Sequence, residues 1–199
     1  FYIGLFNEQP MGFYNLETLK EDAKRHGITL LNPCVNRSDA ETVIEGKSIR
    51  LGLLHVRCVG GSQAGRIVAA REAWGAFGSL AEVMERTGVQ REVLDNLADA
   101  GAFDDFRDDR RNTRWEIGLR YRPVGSQLAL PLSVEQDMVE LPGLSAWEAM
   151  EGEYHTMGMH PKGHIMAHLR LQLGGHLSSL QVSLKREGDL VTVSGMVIR

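Results

Sequence analysis

Cys58-Val59-Gly60-Gly61-Ser62-Gln63-Ala64-Gly65-Arg66-Ile67-Val68-Ala69-Ala70-Arg71 carries the most distinctive local pattern of the chain. A bend containing two glycines runs into a helix that opens on small residues and carries arginine. Glycine lets the backbone come close to a neighbouring group, and the first amides of a helix have no acceptor within it. Such amides suit a phosphate. Arg66 and Arg71 can add charge toward neighbouring phosphates, a contact that carries no base information. Gly60, Gly61, Ser62, Gln63, Arg66 and Arg71 are therefore candidate DNA-binding residues. A plain turn between two packed helices has the same glycines and stays open on this motif alone.

A helix, a glycine bend and a second helix make a helix-hairpin-helix unit. A second glycine turn, Ala100-Gly101-Ala102-Phe103-Asp104, follows a helical stretch and precedes Arg107, Arg110, Arg111 and Arg114. It is read as the hairpin of a second unit, which adds Gly101, Arg110 and Arg111 to the DNA-binding candidates. The alternative is an ordinary helix stop with solvated arginines.

Around these motifs the pattern is largely helical. Residues 1–6 read as an apolar helix broken by Pro10 and Gly12, and Asn15 caps a helix over 16–26 that Gly27 ends. Ile28 to Leu31 is a short strand stopped by Asn32-Pro33. Thr42 to Ile44 and Ser48 to Leu51 flank Glu45-Gly46-Lys47 as a β-hairpin. Helices follow over 63–74, from Ser79 with its capping partner Glu82, over 91–100 and over 108–121. Pro123, Gly125, Pro131, Pro142 and Gly143 mark 122–143 as linker. Ser145 and Glu148 form a second capping box that opens a helix to about 152. A helix near 165–172 and a strand over 190–198 complete the chain, and no repeat of fixed long period is apparent.

The chain has 199 residues, 22 Lys and Arg against 26 Asp and Glu, and a net charge of −4. At 43% hydrophobic content it can build a core, so wholesale disorder is excluded. No apolar run reaches the roughly 20 residues of a membrane helix, and no secretory signal is visible. Cys34 and Cys58 read as reduced thiols, and the expected location is cytoplasmic. The chain opens on Phe1, which reads as a piece of something longer. Residues 50–75 hold four arginines against Glu72, a local +3, whereas 123–161 hold six acids and no Lys or Arg, a local −6. A polyanion would meet the first segment and avoid the second.

Gln127-Leu128-Ala129-Leu130-Pro131-Leu132 is an extended peptide with an anchor pattern: leucines for an apolar groove and Gln127 for its edge. The alternative is that these leucines pack on their own domain. His160, His164 and His168 share a spacing of four, but Pro161 and Gly163 interrupt the helix, and no metal site is assigned. Asp104, Asp105, Asp108 and Asp109 read as helix caps, and no catalytic residue is assigned.

Taken in order, these segments resemble the bacterial C-family DNA polymerases, the DNA polymerase III alpha subunit group. Asn7 to Tyr14 with Asp22 to Gly27 is similar to the end of that family's fingers domain, and Pro33 to Ser38 resembles its P-x-V-N-x-S signature. Residues 51–104 resemble its tandem helix-hairpin-helix domain. Gln127 to Leu132 falls where the family keeps its sliding-clamp motif, and Val191 to Arg199 is similar to the first strand of its OB-fold. Gln9 to Tyr14, and Tyr154, Thr156, Gly158 and Met159 with His164 and Met166, are closest to the error-prone branch. Cys58 in place of a hairpin glycine, Ile165 in place of a proline and Pro131 in place of an aromatic depart from the pattern. The resemblance implies a fold that is mainly α with small β elements, a tandem helix-hairpin-helix module flanked by a fingers-domain tail and an incomplete OB-fold. Its divisions are 1–52, 53–121, the linker 122–143 and 144–199. It implies a part of a polymerase acting in replication and damage-tolerant synthesis, with the catalytic palm outside this chain. Expected partners are double-stranded DNA, a sliding clamp through Gln127, Leu128, Leu130, Pro131 and Leu132, and other polymerase domains or mutagenesis accessory proteins. No membrane partner and no cofactor is expected for this segment; Mg2+ is expected for the intact polymerase. The competing reading is a non-catalytic DNA-binding and clamp-interacting adaptor derived from such a polymerase.

Overall fold

Local rules place most of the elements. The computed structural model describes residues 1–107, 109–121, 139–170 and 172–195, in two units, Phe1–Lys162 and Gly163–Arg199. In the first unit α1 (Tyr2–Asn7) leads to α2 (Leu16–Arg25). The Asn15 side chain accepts from the Thr18 amide at 2.8 Å and so fixes the start of α2. Leu19 and Ala23 on one face of α2 are buried. β1 (Leu30–Leu31) pairs in parallel with β3 (Ser48–Arg50), which pairs antiparallel with β2 (Val43–Glu45) across the Gly46 turn. The sheet order is β1-β3-β2. Behind β3 the chain passes against its own backbone: a Cβ on Gly52 would lie 2.3 Å from the carbonyl carbon of Glu41, so only glycine fits.

After a 3-10 turn (Leu53–His55) come α3 (Gly61–Trp74), α4 (Leu80–Thr87), α5 (Arg91–Asp99), α6 (Arg110–Arg120) and α7 (Ala146–Met157). Ser145 with Glu148 forms the complete capping box the sequence predicts, whereas at Ser79 only half forms: Ser79 accepts from the Glu82 amide, and the Glu82 carboxylate takes the Gly78 amide instead. α7 runs five residues past the expected stop near 152. Gly152 is not a terminator: it lies within α7 facing the end of α5, where a Cβ would make ordinary contact with Asp99. The helix ends at Gly158 instead.

One apolar cluster joins residues from all of these elements except β2, and it includes Phe6, Leu30, Leu53, Ile67, Leu94, Leu97, Phe103, Ile117 and Met159. Burying a side chain of that size contributes roughly 1.5–3 kcal/mol. The second unit holds α8 (Ile165–Leu169) and α9 (Ser179–Val182). α8 is shorter than the 165–172 expected. Among the described residues, 190–195 form no strand; Val193 makes a single parallel bridge to Leu177, and Leu190 is fully exposed. The fold is mainly α with small β elements, as read from sequence.

Candidate nucleic-acid interface

The bend ahead of α3 is held from below. Val56 and Val59 are buried and pin its two ends to the core. Between them Cys58 takes φ +65°, the left-handed conformation in which a side chain is disfavoured by roughly 1–2 kcal/mol. Cysteine thus occupies a glycine's conformation at the position where the sequence departs from the usual hairpin pattern. Gly60 then caps α3 in an extended conformation without a side-chain bond. The Gln63 and Ala64 amides both donate to the Gly60 carbonyl at 3.0 Å. Among the described residues, the Gly61 and Ser62 amides have no protein acceptor, and both residues are exposed. Two unpaired donors at the start of a 14-residue helix are what an anion needs.

A second bend repeats this geometry, and it is not the one the glycine pattern selects. α4 ends at Gly88 in the left-handed conformation, φ +56°; Val89 is buried, Gln90 is extended and supplies no side-chain cap, and α5 begins at Arg91. Cys58 to Gly88, Val59 to Val89 and Gly60 to Gln90 are each a step of 30 residues. The same step relates the buried pairs Ala64 and Leu94, Ile67 and Leu97, and Ala70 and Ala100. The two bends brace one another: Arg66 on α3 donates to the Gly88 carbonyl at 3.1 Å, and the Cys58 thiol donates to a Glu92 oxygen on α5 at 3.1 Å. The hydrogen bond to Glu92 raises the pKa of the Cys58 thiol, so cysteine here is a poor nucleophile.

This corrects the assignment of the second hairpin to 100–104. Gly101 is buried, and a Cβ there would lie 2.3 Å from the Arg110 guanidinium. Arg110 is itself mostly buried, against Asp104 at 2.8 Å, Glu153 at 2.9 Å and the Asp99 carbonyl at 3.1 Å. Arg111 is held by Glu148 and the Pro142 carbonyl. These arginines tie α6 to α7 and to the end of α5. Arg71 is likewise engaged, with Asp39 at 2.9 Å and the carbonyls of Val35 and Ser38. The Pro33–Ser38 loop has a structural part: Asn36 brackets Phe77, accepting from its amide and donating to its carbonyl, and Ser38 joins the Cys34 amide to the Leu51 carbonyl.

Of the four arginines in 50–75, Arg50 pairs with Glu45 at 2.6 Å and Arg71 with Asp39. Arg57 and Arg66 are exposed and, among the described residues, meet no carboxylate. They flank the first bend, and the positive charge read over the whole segment is concentrated there. Sequence reasoning missed Arg57 and the Gly88-Val89-Gln90-Arg91 turn; the 30-residue step was the signal for the second.

Behind the interface lies a buried ionic cluster. Glu153 accepts from Arg110 and from the Asn32 amide at 2.6 Å, and meets the His160 ring. Lys20 pairs with Glu17 at 2.7 Å and donates to the His160 carbonyl. Burial pushes the Glu153 pKa up, but His160, Arg110 and Asn32 together hold it below the ordinary carboxylate range. Among the described residues no group of three or more His, Cys, Asp or Glu is arranged to hold a metal ion. Asp104 and Asp105 face Arg110 and Arg37, and Asp109 caps α6. Gln127 to Leu132, the expected clamp peptide, lies outside the described residues. No helix among the described residues is long and apolar enough to cross a membrane.

Comparison with known proteins agrees with this geometry. Residues 27–113 match the family described as helix-hairpin-helix motif. The error-prone DNA polymerase of Anaeromyxobacter sp. is 36% identical over 212 aligned residues, covering 100% of this chain. Those of Mycobacterium tuberculosis and Nocardia farcinica are each 34% identical over 99% of it. The chain spans 18% of the length of these relatives. Along its whole length, therefore, this chain is homologous to a stretch of proteins named error-prone DNA polymerase, and it carries a helix-hairpin-helix motif.

Proposed function

We propose that this chain is the part of an error-prone DNA polymerase that grips duplex DNA behind the site of synthesis. The observation that carries the reading is the pair of matched bends, with exposed amides at Gly61 and Ser62 and with Arg57 and Arg66 uncompensated by acids among the described residues. Amides at a helix start and nearby guanidinium groups recognise phosphate without reading bases. That suits an enzyme that must hold any sequence. Relatives named error-prone DNA polymerase support placing the activity in replication and damage-tolerant synthesis.

The rest of the reading follows from the resemblance. Gln127, Leu128, Leu130, Pro131 and Leu132 are the anchor for a sliding clamp. The 191–199 segment opens an OB-fold, other polymerase domains or mutagenesis accessory proteins are further partners, and the whole acts in the cytoplasm. The carboxylates here do not fit a catalytic Mg2+ site, because those near the second glycine turn are bound to arginine or to helix amides. Metal-dependent nucleotidyl transfer belongs to the palm, outside this chain, and the chain alone gives no primer extension.

The test is duplex binding as a function of salt. Arg66→Ala should weaken binding to unrelated sequences equally and lower the log–log salt slope by roughly 0.9, one phosphate contact. An unchanged slope would reject the hairpin as the contact. For the anchor, Gln127→Ala with Leu130→Ala should abolish retention by the clamp with DNA affinity intact; retention by the doubly substituted chain would reject that part.

A further inference from the structure

The first bend differs from the second in one respect that the 30-residue step makes visible. The counterpart of Arg57 is Thr87, which is buried and bonded to the Val83 carbonyl at 2.6 Å. Arg57 instead stands exposed, beside an open concavity of about 490 Å3 lined by the Leu54–Gly60 turn and by Thr156 and Met157. Its backbone amide donates to the Thr156 carbonyl at 2.8 Å. Its guanidinium lies 3.3 Å from Nε2 of His155. Both partners are on the last turn of α7, outside the residues that match the helix-hairpin-helix family.

The chemistry of that pair is constrained. A guanidinium donates and cannot accept, so Nε2 of His155 accepts, and the ring proton is on Nδ1. The pair therefore neutralises nothing: an intact positive charge is held in place by a neutral ring. Among the described residues elsewhere in the first unit, nine arginines reach a carboxylate within 4 Å, including Arg37, Arg50, Arg71, Arg110 and Arg111. Fixing Arg57 by a histidine keeps its charge available and limits the side-chain entropy lost when it meets a ligand. It lies three residues before Gly60, whose bend presents the free Gly61 and Ser62 amides.

We infer that Arg57 contacts a second backbone phosphate of duplex DNA, next to the one held by the Gly61 and Ser62 amides, and that His155 is the residue that positions it. α7 thereby becomes part of the DNA-binding surface. This rests on the reading of the first bend as a duplex contact, and the test separates the two.

The experiment titrates a fluorescent duplex of arbitrary sequence with the full chain over a series of KCl concentrations. Arg57→Ala should bind more weakly at every salt and show a slope lower by roughly 0.9. Arg57→Ala with Arg66→Ala should lose about twice that. His155→Ala should weaken binding at low salt, and His155→Gln, whose amide oxygen can accept from Arg57, should restore it. Thermal melts report whether each variant is folded. A wild-type slope and affinity for Arg57→Ala, with Arg66→Ala still impaired, would overturn this inference and leave the hairpin contact standing. A wild-type chain that binds duplex without salt dependence would overturn the hairpin contact and this inference with it. Failure of His155→Gln to rescue would remove the positioning role.

Discussion

Acidification from pH 7 to pH 4 should cost the first unit about 3 kcal/mol through His55 alone. The imidazole sits in the 3-10 turn ahead of the first bend, edge-on to Phe6 at 6.1 Å between ring centroids, with Nε2 2.8 Å from the Thr42 hydroxyl. Burial lowers its pKa from 6.5 to about 4. The unfolded chain therefore takes up this proton first as pH falls. The stability contribution is whole above pH 6.5, declines through the interval down to about 4, and does not decline further below it. At roughly 1.4 kcal/mol per pH unit the full interval is worth about 3.5 kcal/mol, of which about 3 kcal/mol is lost by pH 4, where the folded ring is half protonated. Glu45, Asp105, Glu148 and Glu153 also have lowered pKa values, but a lowered carboxylate weakens the fold only as pH passes below its unfolded value near 4. The two effects thus separate by pH. Urea denaturation at half-unit steps, for the wild type and for His55→Gln, measures the difference; glutamine does not titrate and can still pair with Thr42. The wild type should lose stability between pH 6.5 and 4.5, and the variant much less. Parallel curves through that window would refute the reasoning.

Three further outcomes follow from the packing. Cys58→Gly should stabilise the chain by about 0.5–1 kcal/mol, because relief of the left-handed strain exceeds the entropy of glycine; thermal melting checks it, and duplex affinity should not fall. Arg110→Ala should destabilise by about 3–5 kcal/mol, since it leaves Glu153 and Asp104 short of a buried partner, whereas the salt slope of the surviving folded protein should be that of the wild type. Gly52→Ala should prevent stable folding, seen as loss of cooperative denaturation, because backbone rather than a movable side chain occupies the Cβ position.

What the sequence displays well is what short-range physics decides. The caps at Asn15, Ser79 and Ser145 and the Gly46 turn depend on neighbours within four residues, and each forms where the pattern puts it. The first bend is legible for the same reason. The second is hidden because Gly88 reads as a common helix stop, and the glycine slot that would reveal the repeat is filled by Cys58. α7 is longer than its composition suggests because Gly152 is accommodated within the helix and the left-handed stop comes only at Gly158. The arginines divide on the same principle. Sequence gives their number and spacing, but whether a guanidinium faces solvent depends on distant acids: Asp39 takes Arg71, and Glu153 takes Arg110. Arg57 stays available because its neighbour across the fold is a histidine.

The most direct test of the account is where duplex DNA touches the chain. In a titration of 15N-labelled protein with a short duplex, the Gly61 and Ser62 amide resonances should shift earliest and furthest, followed by those of Arg91 and Glu92 at the matching bend. If those four amides are unmoved while resonances of Arg110 to Arg114 shift, the bends do not hold the phosphates and the account is wrong.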